Sequence, residues 1–200
     1  MNPIRKSKIS NGVKVLGIAG SPRIGGNSEV LLDSALAGAE SAGAKTEKIV
    51  LSMLKITPCD SDSFCRKNGT CYIKDDMQLV YKKLKAADAI IISSPVYFGS
   101  VTAQLKAMID RCQVFWVNGF LLKKKPSKKQ KGLFLCVSSR DNKSYFWNSR
   151  LIIDLLFKVM KVKFTGSIYA PKLESKGDIL LSKALLKRAF SKGKNLIICN

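Results

Sequence analysis

The stretch Gly20–Ser28, GSPRIGGNS, holds residue types that could do chemistry on an anion. It follows an apolar run, Val13 to Ala19, of a length that suits a strand buried on both faces. After it comes a helical pattern through Val30, Leu31, Leu32, Ala35 and Leu36, with Asn27 or Ser28 as the expected N-cap. A strand, a loop of small residues and a helix start together point backbone N–H groups outward, and the helix dipole favours negative charge there. Ser21, Asn27 and Ser28 add side-chain donors, Arg23 adds a charge, and Gly26 lets the backbone come close. The loop reads as a holder for a terminal phosphate, with a plain solvated turn as the alternative. A Walker A loop would carry Lys-Ser/Thr where Gly26-Asn27 stand. The G-x-G-x-x-G fingerprint is also absent, because Gly17 and Gly20 are three apart.

Two more stretches follow apolar strands. Ser94-Pro95-Val96-Tyr97-Phe98-Gly99 comes after DAIIISS, residues 88–94. Tyr97 and Phe98 can wall a flat ring, the amides of Val96 to Gly99 can donate to its edge, and Pro95 stiffens the loop. Ser138, Ser139 and Arg140 come after GLFLCVS, residues 132–138, and small residues there would let a ring approach the backbone. The chain has no His, so it has no Ser-His-Asp triad and no His-bearing metal site. No catalytic residue is assigned.

Six Cys occur, at 59, 65, 71, 112, 136 and 199. Cys59, Cys65 and Cys71 are spaced C-x5-C-x5-C in a long connection, residues 52–74. Cys112, Cys136 and Cys199 lie on helical or strand patterns and read as packing residues. The N-terminal MNPIRKSKISNG lacks the apolar segment of a signal peptide, and no run approaches a membrane span. The expectation is a cytoplasmic protein with reduced thiols and no membrane contact.

Strands at 13–19, 45–51, 88–94, 132–138 and 163–169 alternate with a first helix that follows the Asn27 or Ser28 cap and stops at Gly43 and with helices at 75–87, 101–112, 144–161 and 179–191. Residues 195–199 read as a short strand or frayed tail. Such alternation predicts α/β architecture, a parallel sheet with helices on both faces in three layers, with residues 1–200 as one domain. Lys and Arg total 35 against 14 Asp and Glu, a net charge of +21. Such a field draws anions, although the Lys residues are spread along the chain. The densest patch is Lys123, Lys124, Lys125, Lys128, Lys129 and Lys131. It carries no interleaved aromatics and reads as a basic loop before a strand, so a nucleic-acid partner is not expected.

GSPRIGGNS resembles the phosphate loop of the NAD(P)H-dependent FMN reductase-like flavoproteins, a branch of the flavodoxin-like fold. SSPVYFGSVTAQLKAMIDR and PCDSDSFCRKNGTCYIKDDM resemble the iron–sulfur flavoprotein subgroup of that family. The resemblance implies strand order 2-1-3-4-5, with the ligand beyond the carboxyl ends of strands 1, 3 and 4. It implies FMN held by Ser21, Arg23, Gly26, Asn27, Ser28, Pro95, Val96, Tyr97, Phe98, Gly99, Ser138 and Ser139, with NAD(P)H as donor. It also implies a homodimer or homotetramer, and the aromatic stretches CQVFWVNGFLL (112–122) and SYFW (144–147) agree with that. The subgroup's motif for a [4Fe-4S] cluster is C-x2-C-x2-C with a fourth Cys further on. Cys59, Cys65 and Cys71 match three of its positions, and Asp62 stands at the remaining one. A cluster with an aspartate ligand, a lost cluster and a Zn site stay open. Beside the NAD(P)H-dependent reading stand two others: ferredoxin-linked electron transfer with an acidic redox partner, and a non-enzymatic binding module on the same fold.

Overall fold

The structure is a computed structural model describing residues 12–126 and 128–198. Its five parallel strands are β1 (Lys14–Ala19), β2 (Lys45–Val50), β3 (Ala89–Pro95), β4 (Gln130–Val137) and β5 (Val162–Ala170), in the order 2-1-3-4-5. Among the described residues the α-helices are α1 (Asn27–Glu40), α2 (Phe64–Asn68), α3 (Met77–Ala86), α4 (Ala103–Arg111), α5 (Gln113–Trp116), α6 (Lys143–Met160), α7 (Asp178–Leu181) and α8 (Lys183–Ile198).

The alternation of side chains along each strand sorts the two faces. Leu16, Ile18, Ile90, Ile92, Phe134 and Cys136 pack under α3, α4, α5 and α6. Val15, Ala19, Ile91, Leu133, Leu135 and Val137 pack under α1, α7 and α8. The result is a three-layer, flavodoxin-like sandwich. On the second face α1 and α8 approach so closely that glycine is required on both. A Cβ on Gly38 would lie 2.0 Å from the Phe190 carbonyl oxygen, and one on Gly193 would lie 1.8 Å from that of Ala35.

Several sequence expectations change. The N-cap of α1 is Gly26, and Asn27 and Ser28 are already helical. The last helix breaks at Ser182 and then runs on to Ile198, so the strand or tail expected at 195–199 is helix as far as it is described. Cys199 lies outside the described residues, as do residues 1–11. The connection at 52–74 holds a 3-10 turn, Leu51–Met53, at its start and the short α2 in its middle. It is clamped by Arg111 at the end of α4, whose side chain is fully buried. The guanidinium makes a bidentate pair with Asp75 at 2.8 and 3.2 Å and donates to the carbonyls of Thr57 and Ile73 at 2.7 and 3.3 Å.

Candidate functional site

At the carboxyl edge of the sheet, the ends of β1, β3 and β4 lie side by side. Gly20 at the end of β1 donates to the Ser93 carbonyl (2.8 Å), and Val96 at the end of β3 donates to the Val137 carbonyl (2.8 Å). Thr102 is buried between them. Its hydroxyl donates to the Gly20 carbonyl and accepts from the Leu105 amide, capping α4 and tying it to the first loop. Three loops are thereby fixed around a cavity of about 220 Å³.

The first loop is Ser21–Ser28. Ser21 is buried, and its hydroxyl accepts from the Arg23 amide (3.0 Å). Gly25 lies in the left-handed region at φ 65°, and Gly26 donates back to the Arg23 carbonyl (3.2 Å). This turn leaves the amides of Asn27 and Ser28 at the helix start without intrahelical acceptors, as at any helix N-terminus. The buried Glu29 closes the back of the loop, accepting from the Gly25 amide (2.8 Å) and from Lys48 (2.7 Å). Burial alone would push its carboxyl up. The bonds from Lys48 and Gly25 outweigh that and hold it below the usual range.

Asn27 has a different task from the one expected. Its amide donates to the Ser175 carbonyl (2.8 Å) and accepts from the amides of Gly177 and Ile179 (3.0 and 3.3 Å). It latches the loop between β5 and α7 over the first loop. Leu173 and Glu174 of that loop line the cavity, and the Glu174 carbonyl accepts from Arg23 (3.4 Å). The segment 171–178 was missed from sequence, because its partners lie about 150 residues away.

The second loop ends in a tight turn. Tyr97 and Ser100 exchange backbone hydrogen bonds (2.9 and 3.0 Å), with Phe98 and Gly99 both at positive φ, 49° and 72°. That is the geometry of a type I′ turn. Glycine adopts it freely, whereas Phe98 is held there at a cost of order 1 kcal/mol with its ring fully in solvent. Of the four amides expected to face a ring, those of Val96 and Tyr97 are used by the protein itself, which leaves Phe98 and Gly99. Helix α6 braces the turn. Asn148 donates to the Gly99 carbonyl (2.7 Å), and the Tyr145 ring lies against Gly99. Neither brace was expected from the sequence.

The third loop is pinned by Tyr169, whose hydroxyl donates to the Arg140 carbonyl (2.9 Å) and accepts from the Asn142 amide (3.0 Å). Ser139 lines the cavity. Ser138 is buried behind it and accepts from the Arg140 amide (3.2 Å). The cavity thus unites Ser21, Arg23, Gly26, Asn27, Ser28, Pro95, Val96, Tyr97 and Ser139, with Phe98 and Gly99 at the turn beside them.

The cysteines of the 52–74 connection belong to a separate and larger cavity of about 560 Å³. Cys59, Cys65, Cys71 and Asp62 all line it, and the three thiols are free. Asp62 accepts from the Phe64 amide (3.1 Å) at the start of α2. Among the described residues no three His, Cys, Asp or Glu side chains converge as a ready metal site. The donor set, three thiols and a carboxylate that already accepts from the Phe64 amide, does not fit a four-thiolate cluster. Burial pushes the thiols of Cys112 and Cys136 up to about 12, so both are inert packing groups.

Residues 13–157 match the family model described as NADPH-dependent FMN reductase. The chain is 42% identical over 113 residues to an iron–sulfur flavoprotein of Methanosarcina thermophila, covering 56% of this chain and 59% of that protein. It is 44% identical over 113 residues to one of Methanocaldococcus jannaschii, covering 56% and 58%. The matched part thus spans little more than half the length of these relatives. Among solved structures it is similar to a flavone reductase (TM-score 0.70, 21% identity, 92% of this chain and 62% of that one). It is also similar to an NAD(P)H:quinone oxidoreductase from Methanothermobacter marburgensis (TM-score 0.69, 19% identity, 92% and 99%). At these identities the structural likeness speaks to the fold.

Proposed function

Since the chain belongs to the NADPH-dependent FMN reductase family, we propose that it is an FMN-dependent oxidoreductase taking reducing equivalents from NAD(P)H and passing them to an acceptor. The observation that carries this reading is the convergence of three loops on one sheet edge. There the first loop offers free helix-start amides and Arg23, and the second offers an exposed aromatic at a strained turn. These features fit FMN. The amides of Asn27 and Ser28, the hydroxyls of Ser21 and Ser28, and Arg23 would hold the phosphate. Pro95 to Gly99 would flank the ring, and Ser138 and Ser139 would bound it from the third loop. FMN supplies the redox chemistry when bound, and the chain supplies position and electrostatics. Thr102, Asn148 and Tyr169 keep the three loops in register.

Arg23→Ala tests the phosphate assignment. Loss of one charge-assisted contact costs roughly 1.5–3 kcal/mol, so FMN should bind about 10- to 150-fold more weakly with the fold intact. Superimposable FMN titrations of wild type and variant would remove Arg23 from the site.

Iron–sulfur relatives and the three free thiols around one cavity support a second reading, electron transfer with an acidic redox protein such as ferredoxin. The basic surface suits such a partner. The cluster itself is disfavoured by Asp62, a harder ligand than a thiolate. Anaerobic reconstitution of wild type should therefore fall short of four irons per chain. Asp62→Cys should raise iron and sulfide toward four of each if the loop retains cluster geometry. A full, air-stable four-iron complement in wild type would reverse this ranking. Exposed Trp147, Leu151 and Leu155, spaced along one face of α6, support a homo-oligomer. Free thiols suit a cytoplasmic setting.

A further inference from the structure

The lysine run at 123–131 has no part in the flavin reading. The fold gives it a place. Lys124, Lys125 and Lys128 line a cavity of about 320 Å³, together with Lys85 from the last turn of α3 and Lys161 after α6. Three separate segments thus bring five lysines to the lining of one pocket. No carboxylate lines it. Lys128 pairs with Asp88 outside the pocket lining (2.7 Å). The other four form no ion pair among the described residues. Like charges gathered in this way repel unless an anion joins them.

The pocket is also shaped. Phe115, Val159 and Met160 give an apolar floor, with the Lys85 ammonium 6.0 Å from the centre of the Phe115 ring. Asn118 and Gly119 come from a π-helical turn, Val117–Leu121, a rare conformation that is frequent at functional sites. Asn118 is held by bonds to the carbonyls of Gly69 and Val114 (2.7 and 2.8 Å). Two non-glycine residues take the left-handed conformation beside it, Lys123 at φ 51° and Lys161 at φ 58°. Lys161 stands where a helix usually ends in glycine, and keeping a lysine there retains a cation at the rim.

We propose that this pocket binds a small organic polyphosphate of the nucleoside di- or triphosphate class. A triphosphate brings about three to four negative charges to the four unpaired lysines. Its flat ring suits the Phe115 floor, and the volume is at the lower end for small-molecule sites. The pocket lies at Gln130, the first residue of β4, whereas Val137, the last, lines the flavin-edge cavity. Seven strand steps separate these by roughly 23 Å, so the two sites are distinct.

The test is calorimetric titration of ATP, with inorganic tripolyphosphate as the ring-free arm, into FMN-saturated protein whose phosphate loop is already filled. ATP should bind more tightly than tripolyphosphate. The Lys124→Ala/Lys161→Ala double variant should bind ATP at least about 30-fold more weakly, with FMN binding unchanged as the check on folding. Lys183→Ala/Lys187→Ala removes equal charge from exposed positions on α8 and should cost less than about 3-fold. Equal losses in the two double variants, equal affinity for ATP and tripolyphosphate, or no heat of ATP binding in wild type would each overturn the proposal.

Discussion

Replacing Arg111 with Met is expected to lower stability by about 3–5 kcal/mol, the cost of leaving one partner of a buried ion pair without the other. Its guanidinium is out of contact with water and holds four oxygens, two on Asp75 and one each on Thr57 and Ile73. The last two flank the cysteine-bearing segment, so the variant should free that segment as well as weaken the core. Met keeps most of the volume, which directs the loss to charge and hydrogen bonding. Arg111→Met/Asp75→Leu should recover part of the stability, since removing both charges is far less costly than removing one.

Asp75 gives the pair a pH signature. Burial alone would raise its pKa, but Arg111 and the amides of Thr57 and Met77 hold it below the ordinary value. A carboxylate with a depressed folded pKa contributes stability above the ordinary Asp range. That contribution is lost as pH falls through the folded value. Wild type should therefore lose stability below about pH 4, and Arg111→Met should lack that part of the slope. Urea midpoints for the two proteins at pH 7 and pH 3 measure it. Parallel losses in both would show that the pair is not the cause.

Gly193→Ala is expected to cost at least about 3 kcal/mol, the upper end for overpacking. The new methyl carbon would meet a backbone oxygen at 1.8 Å, and neither helix can rotate away, because Gly38 makes the reciprocal contact with Phe190. Ser34 also donates to the Leu186 carbonyl across the same crossing (2.8 Å). Alanine is ordinarily the better helix former by roughly 1 kcal/mol, so the sign of the change is itself the result. A thermal midpoint that rises in Gly193→Ala would refute the close crossing of α1 and α8.

The elements carrying the site were legible for a physical reason. Strands buried on both faces appear as continuous apolar runs, and each run that ends in Gly, Ser or Pro marks a loop at the carboxyl edge. VLGIA, DAIIISS and GLFLCVS all behave this way. The same reasoning loses power where a residue's partner is distant. Arg111 at the end of α4 looks like an ordinary cation near a helix C-terminus, and only its contacts with Thr57, Ile73 and Asp75 mark it as a buried clamp. Asn27 has the composition of an N-cap and phosphate donor, yet it serves residues 175–179. The lysines at 124, 125 and 128 read as a solvated run until Lys85 and Lys161 join them. Gly193 costs helix propensity locally, but it lets α8 pass against α1 and continue to Ile198.

In the function proposed above, the Ser21–Ser28 loop receives the terminal phosphate of a flavin. Riboflavin and FMN share the ring and differ in that phosphate alone, so their dissociation constants, measured side by side by fluorescence quenching, isolate the loop. FMN should bind at least about 30-fold more tightly than riboflavin, given charge-assisted contacts worth roughly 1.5–3 kcal/mol each. Equal affinity for the two, or no flavin binding at all, would contradict it.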